Sequence, residues 1–281
     1  TIREAVRRQK WGFTLDAAAG LVRRILAQPA LRFAGYSSHL GRFSAEPAAS
    51  AVVAAAFGEA TVRLHRETGA WPGILDVGGG WPRQREPESR GPALNPYAIE
   101  EHAKAACSAL RAALDPVGRA LPQLWLEPGR YIVGNASVLL ATIGAVKRDA
   151  GFAWAHVDAS TNDLMRIETS QSWYHILPAS RMDEPLSQEF ELVGGTCIPS
   201  VLGSQRAMPA LRRGDIVAIL DAGMYAEAIS NQFNSIPRPA SVLVRPEGVD
   251  TIRRRETIDD VFATHAIPGR LRRRVASDAR A

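Results

Sequence analysis

The first 143 residues alternate helical stretches with short apolar runs, and that rhythm leaves a parallel α/β arrangement as the simplest way to bury both. Thr14 is placed to cap a helix running to about Leu26, with Val22, Ile25 and Leu26 apolar at helical spacing. Leu31–Tyr36 reads as a short buried strand. Ala48–Thr68 reads as an alanine-rich helix closed by Gly69. A second buried strand, Ile74–Val77, runs into three glycines. Asn95-Pro96 offers a capping side chain before a helix-opening proline, followed by Ile99, Ala103, Ala106, Leu110 and Leu114 on one stripe. Leu124–Leu126 is a third strand. The repeated strand–helix unit predicts part of a parallel (β/α) barrel over residues 1–143. After about Ile143 the texture changes. Ala153–Val157, Glu189–Val193, Asp215–Leu220 and Ser241–Val244 are short, β-prone and separated by Gly, Pro and Asp, which predicts an antiparallel β domain over 144–281.

A net charge of +5 invites a nucleic-acid reading, but the basic residues are almost all arginine, with Lys10, Lys104 and Lys147 the three lysines. The arginines are scattered apart from Arg253–Arg255 and Arg270–Arg274, and no aromatic-plus-basic motif accompanies them, so neither nucleic acid nor a membrane is an expected partner. Two cysteines, Cys107 and Cys197, are too few for a disulfide framework, and no apolar run is long enough to span a bilayer. A cytoplasmic location is the expectation.

The chemistry-bearing residues cluster at predicted strand ends. Gly78, Gly79 and Gly80 can bring several amides to an anion, typically a phosphate, or can serve only as a tight turn. Glu127, Gly129 and Arg130 set a carboxylate, a glycine amide and a guanidinium at another strand end, or form a surface turn with an ion pair. His39 ends a third strand. Cys197 is a packing residue or, beside a cationic cofactor, a proton donor. Tyr225, after the strand 216–220, suits a phosphate oxygen, a substrate edge or core packing.

Seven stretches in order resemble the fold type III pyridoxal-phosphate (PLP) decarboxylases, the family of diaminopimelate, ornithine and arginine decarboxylases. They are Lys10-Trp11-Gly12-Phe13, His39-Leu40-Gly41, Leu75–Pro82, Glu127–Asn135, Val157–Arg166, Gly195–Cys197 and Asp215–Val244. The last includes Phe233-Asn234-Ser235 and Pro237-Arg238-Pro239. The resemblance implies an alanine-racemase-like PLP-binding (β/α)8 (TIM) barrel joined to a β domain, acting as a homodimer with shared active sites on an amino-acid substrate. It implies that His39 stacks on the cofactor ring, that Gly78–Gly80 and Gly129 present amides to its phosphate, and that Glu127 pairs with its ring nitrogen. Tyr225 would touch the phosphate and the substrate, Arg130 would contact both cofactor and substrate, Arg166 would hold substrate groups, and Cys197 of the other subunit would return a proton after CO2 leaves.

The departures are informative. The family's Schiff-base lysine lies on an early barrel strand, and none of Lys10, Lys104 or Lys147 stands there, so the lysine and the first barrel strands are expected on a segment absent from this chain or carried on another. Cys197 is followed by Ile198-Pro199-Ser200-Val201 with no carboxylate for a distal ammonium. Ser170 stands at the family's substrate tyrosine, and Arg42 where a serine often follows the His-x-Gly turn. Diaminopimelate and ornithine are therefore doubtful substrates, and a larger or carrier-bound amino acid from a siderophore or natural-product route is expected. The rival reading is a non-catalytic, decarboxylase-like binding protein or an inactive fragment.

Overall fold

The computed structural model describes residues 10–39, 46–85 and 93–271. Leu40, Gly41, Arg42 and the arginines beyond residue 271 lie outside the described residues. Thr14 caps helix α1 (Leu15–Leu26), its Oγ1 accepting from Ala17 N at 3.4 Å. Strand β1 (Gly35–Ser37) leads to α2 (Pro47–Thr68), which opens on a proline and closes on Gly69 in the left-handed region, φ 74°. Strand β2 (Ile74–Asp76), α3 (Ile99–Leu114) and β3 (Gln123–Trp125) follow. The three strands are parallel in the order β1-β2-β3, with Tyr36, Leu75 and Leu124 in one register. On this sheet Leu75 and Val77 pack with Ala54 and Phe57 of α2 and with Ala106, Leu110 and Leu114 of α3. At Gly58 the two helices meet closely, since an added Cβ would lie 2.6 Å from Ala113 Cβ.

Two details of this first half differ from the sequence reading. The first strand begins at Gly35 rather than Leu31, because Ala34 O is taken by Gly73 N and Ile74 N and the ladder starts only after it. Helix α3 starts at Ile99, not at Pro96. Asn95 Oδ1 accepts from Tyr97 N at 3.2 Å, which makes a separate turn, and Glu101 supplies the cap by accepting from Ala98 N at 2.8 Å.

A short helix α4 (Gly129–Val133) leads into β4 (Leu139–Asp149). Strand β4 runs through the division expected at residue 143, because Leu139–Thr142 already pair with β9 (Ile216–Ile219) in the second sheet. That sheet has the order β6-β9-β4-β5-β7-β8, with β5 (Phe152–Val157), β6 (Ile176–Leu177), β7 (Gln188–Val193) and β8 (Val201–Met208). It is antiparallel, as expected, except for the one pair β5–β7, which run in parallel. Its end strands approach each other, with Ile176 Cδ1 2.8 Å from where a Cβ on Gly203 would sit, so the sheet is nearly closed around Ile143, Phe190, Leu192, Met208, Val217 and Ile219. A ribbon of β10 (Ser241–Arg245) and β11 (Gly248–Arg253) and a short helix, Ile258–Val261, follow.

Candidate active site

The ends of the three parallel strands come together. Asp76 Oδ1 accepts from Gly78 N at 2.8 Å and closes the turn after β2, while Gly78 and Gly80 take φ of 72° and 84°, open to glycine without strain. Gly79 N donates to His39 Nδ1 at 3.1 Å. Because an amide can only donate, Nδ1 is the acceptor and the proton of the neutral ring sits on Nε2. Glu127 N donates to Gly78 O at 3.0 Å. An added Cβ on Gly79 would lie 2.6 Å from Glu127 O and 3.5 Å from His39 Cε1, so the glycine is what lets the three turns adjoin. Gly129, by contrast, faces open space with nothing within 4 Å of its Cβ position.

A second group stands on the β domain. Arg166 opens the short helix Arg166–Ser170, and its guanidinium carbon lies 4.6 Å from the centroid of the half-exposed Tyr225 ring. Tyr225 ends a turn from Asp221 in which both residues have positive φ, 52° and 62°. The turn is wedged against the segment after Arg130: Gly223 N donates to Gly134 O and Ala222 N to Ser137 O, each at 3.0 Å. Asp221 has no side-chain exposure and accepts from Arg83 Nη1 at 3.2 Å and from Arg85 Nε and Nη2 at 2.5 and 3.3 Å. The sequence reading missed Asp221, Arg83 and Arg85. An aspartate directly after an apolar strand was the available signal, but nothing local names its partners.

Tyr174 lies in the adjoining core. Burial pushes its phenol up to about 12, opposed by the charges of Arg166 and Arg130 and reinforced by Asp221, and its hydroxyl has no hydrogen-bond partner among the described residues. Burial likewise pushes the neighbouring His175 imidazole down, as do the charges of Arg85 and Arg206, with Asp221 acting the other way.

Cys197 stands apart and is exposed. Asn234, itself at φ 59°, donates from Nδ2 to the Cys197 sulfur at 3.7 Å. The turn that carries Cys197 is pinned by the buried Ser200, which accepts from Thr161 N at its Oγ and from Gly194 N at its carbonyl. No described contact joins Cys197 to the His39–Gly79–Glu127 group or to Tyr225 of its own chain. Lys104 and Lys147 fall on α3 and β4, away from the parallel strand ends. Among the described residues no cluster of His, Cys, Asp or Glu could hold a metal, and no helix is long and apolar enough to cross a membrane.

Parallel strands whose C-terminal ends carry glycine turns, a histidine and a carboxylate, joined to a β domain, define an α/β protein with its polar, chemistry-bearing residues gathered at the strand ends. The family model "Pyridoxal-dependent decarboxylase, C-terminal sheet domain" matches residues 36–223. The diaminopimelate decarboxylase of Methanothermobacter thermautotrophicus is 36% identical over 242 residues, covering 85% of this chain and 55% of that protein. That of Vibrio cholerae is 31% identical, covering 95% of this chain and 60% of that protein. A crystal structure of diaminopimelate decarboxylase from M. jannaschii superimposes with a TM-score of 0.83 at 25% identity, covering 94% of this chain and 59% of that one. The chain belongs to the pyridoxal-dependent decarboxylase family, and it spans 55–60% of the length of these relatives.

The residues present fit pyridoxal phosphate. Gly129 leaves room at a strand end where any side chain would fill the space, the Gly78–Gly80 turn is held in shape by Asp76 and His39, and His39 and Glu127 adjoin that turn with a flat ring and a carboxylate.

Proposed function

We propose that this chain forms the carboxy-terminal part of a PLP-dependent α-decarboxylase acting on an amino acid. The convergence of His39, the Gly78–Gly80 turn and Glu127 at three parallel strand ends carries this reading. Of the expected amides, Gly78 N and Gly79 N are engaged by Asp76 Oδ1 and His39 Nδ1 and shape the turn. The backbone amides of Gly80 and Gly129 would therefore hold the phosphate, and Glu127 would pair with the ring nitrogen and keep it protonated. His39, with Nδ1 fixed by Gly79 N, would lie against the ring. Bound pyridoxal phosphate supplies an electron sink for the pair left behind when CO2 departs. Arg130 and Arg166 would orient the substrate, with Tyr225 giving Arg166 a fixed surface to lie on. Cys197 Sγ would hold the proton that returns to the substrate carbon, with Asn234 orienting the sulfur.

The separation of Cys197 from the cofactor group within one chain supports a homodimer in which each subunit's cysteine completes the other's site. The stretch Ile198-Pro199-Ser200-Val201 carries no carboxylate, and Ser200 is buried and engaged. A substrate with an unpaired distal ammonium would fit this turn poorly. We therefore favour a larger or conjugated amino acid over diaminopimelate or ornithine.

The test is CO2 release by the full-length protein with pyridoxal phosphate, from a panel of free and conjugated amino acids. Release from at least one α-amino acid is expected. No release from any, with no uptake of pyridoxal phosphate, would overturn the proposal.

A further inference from the structure

We infer that Asp221 is a positioning residue, clamped by Arg83 and Arg85 so that the Tyr225 turn keeps its place relative to the glycine turn. The inference rests on the proposed cofactor site and concerns how three separate segments are held in register there. Arg83 and Arg85 follow Gly80 by three and five residues, Gly134 follows Arg130 by four, and Tyr225 follows Asp221 by four.

One guanidinium joins all three segments. Arg83 donates to Asp221 Oδ1 at 3.2 Å, and its Cζ lies 2.5 Å from where a Cβ on Gly134 would sit. Gly134 is thus a glycine because Arg83 lies flat upon it. Arg85 adds a two-pronged contact through Nε and Nη2, which fixes the carboxylate plane as well as its position. Opposite, Gly223 fits so closely beneath Val133 that an added Cβ would lie 1.8 Å from Val133 O.

A buried carboxylate paired with arginines is weak evidence for stability, because an apolar substitute of similar size is often as good. What an apolar substitute cannot supply is direction. The turn contains two non-glycine residues in the left-handed region, Asp221 and Tyr225, and such a conformation persists only where its surroundings over-determine it. The three charged hydrogen bonds to Asp221 and the Gly223 and Ala222 amide bonds do this. Their consequence is the place of the Tyr225 ring, against which Arg166 lies.

If the clamp acts through Tyr225, breaking the clamp and removing the Tyr225 hydroxyl are one loss counted twice. The experiment is a double-mutant cycle in the full-length protein, read as the dissociation constant for pyridoxal phosphate by absorbance titration, with thermal midpoints measured alongside. Arg85→Lys keeps the charge and removes the planar fork, so it avoids the buried charge imbalance by which Asp221→Asn could fail to fold. Arg85→Lys and Tyr225→Phe should each weaken binding about tenfold, and the double variant should be no weaker than about tenfold. Additive losses, near a hundredfold, or an Arg85→Lys variant with unchanged affinity, would overturn the positioning role alone. A Tyr225→Phe variant with full affinity would likewise overturn the positioning role while leaving the cofactor site standing, whereas wild-type protein that takes up no pyridoxal phosphate would overturn the cofactor site and this inference together.

Discussion

Arg166 lies across the face of Tyr225, with 4.6 Å between the guanidinium carbon and the ring centroid. Stacking of this kind holds a long flexible side chain in one orientation and so fixes the direction of its planar N–H fork. Tyr225→Leu removes the face and Tyr225→Phe keeps it. At a half-exposed site the contact is worth about 0.5–1 kcal/mol, so Tyr225→Leu should raise the substrate KM about two- to fivefold beyond any rise seen for Tyr225→Phe. Steady-state kinetics of the two variants side by side checks this. Equal KM values would show that the ring face does not orient Arg166.

Two glycines of the site should respond differently to the same methyl group. At Gly79 the added Cβ would press on the backbone oxygen of Glu127, 2.6 Å away, which cannot move without disturbing β3. Gly79→Ala should therefore cost about 1–3 kcal/mol in denaturant unfolding. Gly129→Ala meets nothing within 4 Å and should change stability by less than about 0.5 kcal/mol. If the open space beside Gly129 receives the phosphate, the same substitution should weaken binding of pyridoxal phosphate without that loss of stability. Unaltered affinity in Gly129→Ala would remove Gly129 from the cradle.

The parts of the site that were legible in the sequence are those set by local backbone chemistry. Gly78–Gly80 and Pro128-Gly129 mark strand ends because only such residues turn a chain that sharply, and Thr14 announces a helix start through its own side chain. What was not legible depends on partners far along the chain. Asp221 meets Arg83 and Arg85 across 138 and 136 residues, and no spacing rule reaches that far. Asn95 misled for a related reason: its side chain does close a turn, but Glu101 closes a better cap three residues into the helix. The first strand was drawn too long because its start is set by the neighbouring chain at Gly73 and Ile74, not by its own apolar run.

Tyr174 should leave a signature at alkaline pH. An unfolded phenol ionises near 10, whereas burial holds this one to about 12. The folded state therefore keeps its proton after the unfolded state has lost it, and stability falls as pH rises between those values while the contribution is constant below pH 10. The loss amounts to at most about 2–3 kcal/mol. Since the hydroxyl has no partner, Tyr174→Phe should cost little or nothing at neutral pH and should flatten the decline above pH 10. Urea titrations across that range compare the two proteins. A wild-type slope retained in Tyr174→Phe would assign the alkaline decline to other groups.

The isolation of Cys197 from the cofactor group gives a test of the shared site. Within one chain its described partner is Asn234, and no described contact reaches His39, Gly79 or Glu127. If each site takes its cysteine from the other subunit, a Cys197→Ala homodimer and a Glu127→Ala homodimer are both inactive, for lesions that lie on opposite sides of the interface. Unfolding and refolding an equal mixture should yield half heterodimers. Each heterodimer would have one site with both lesions and one site with neither, so the mixture should recover about a quarter of wild-type turnover. Lesions within one chain's own site would leave every site damaged, and the mixture would stay inactive. Native mass spectrometry of the mixture fixes the heterodimer fraction, so a silent mixture that contains heterodimers would place Cys197 and Glu127 in the same subunit's site, and an active Cys197→Ala homodimer would remove Cys197 from it.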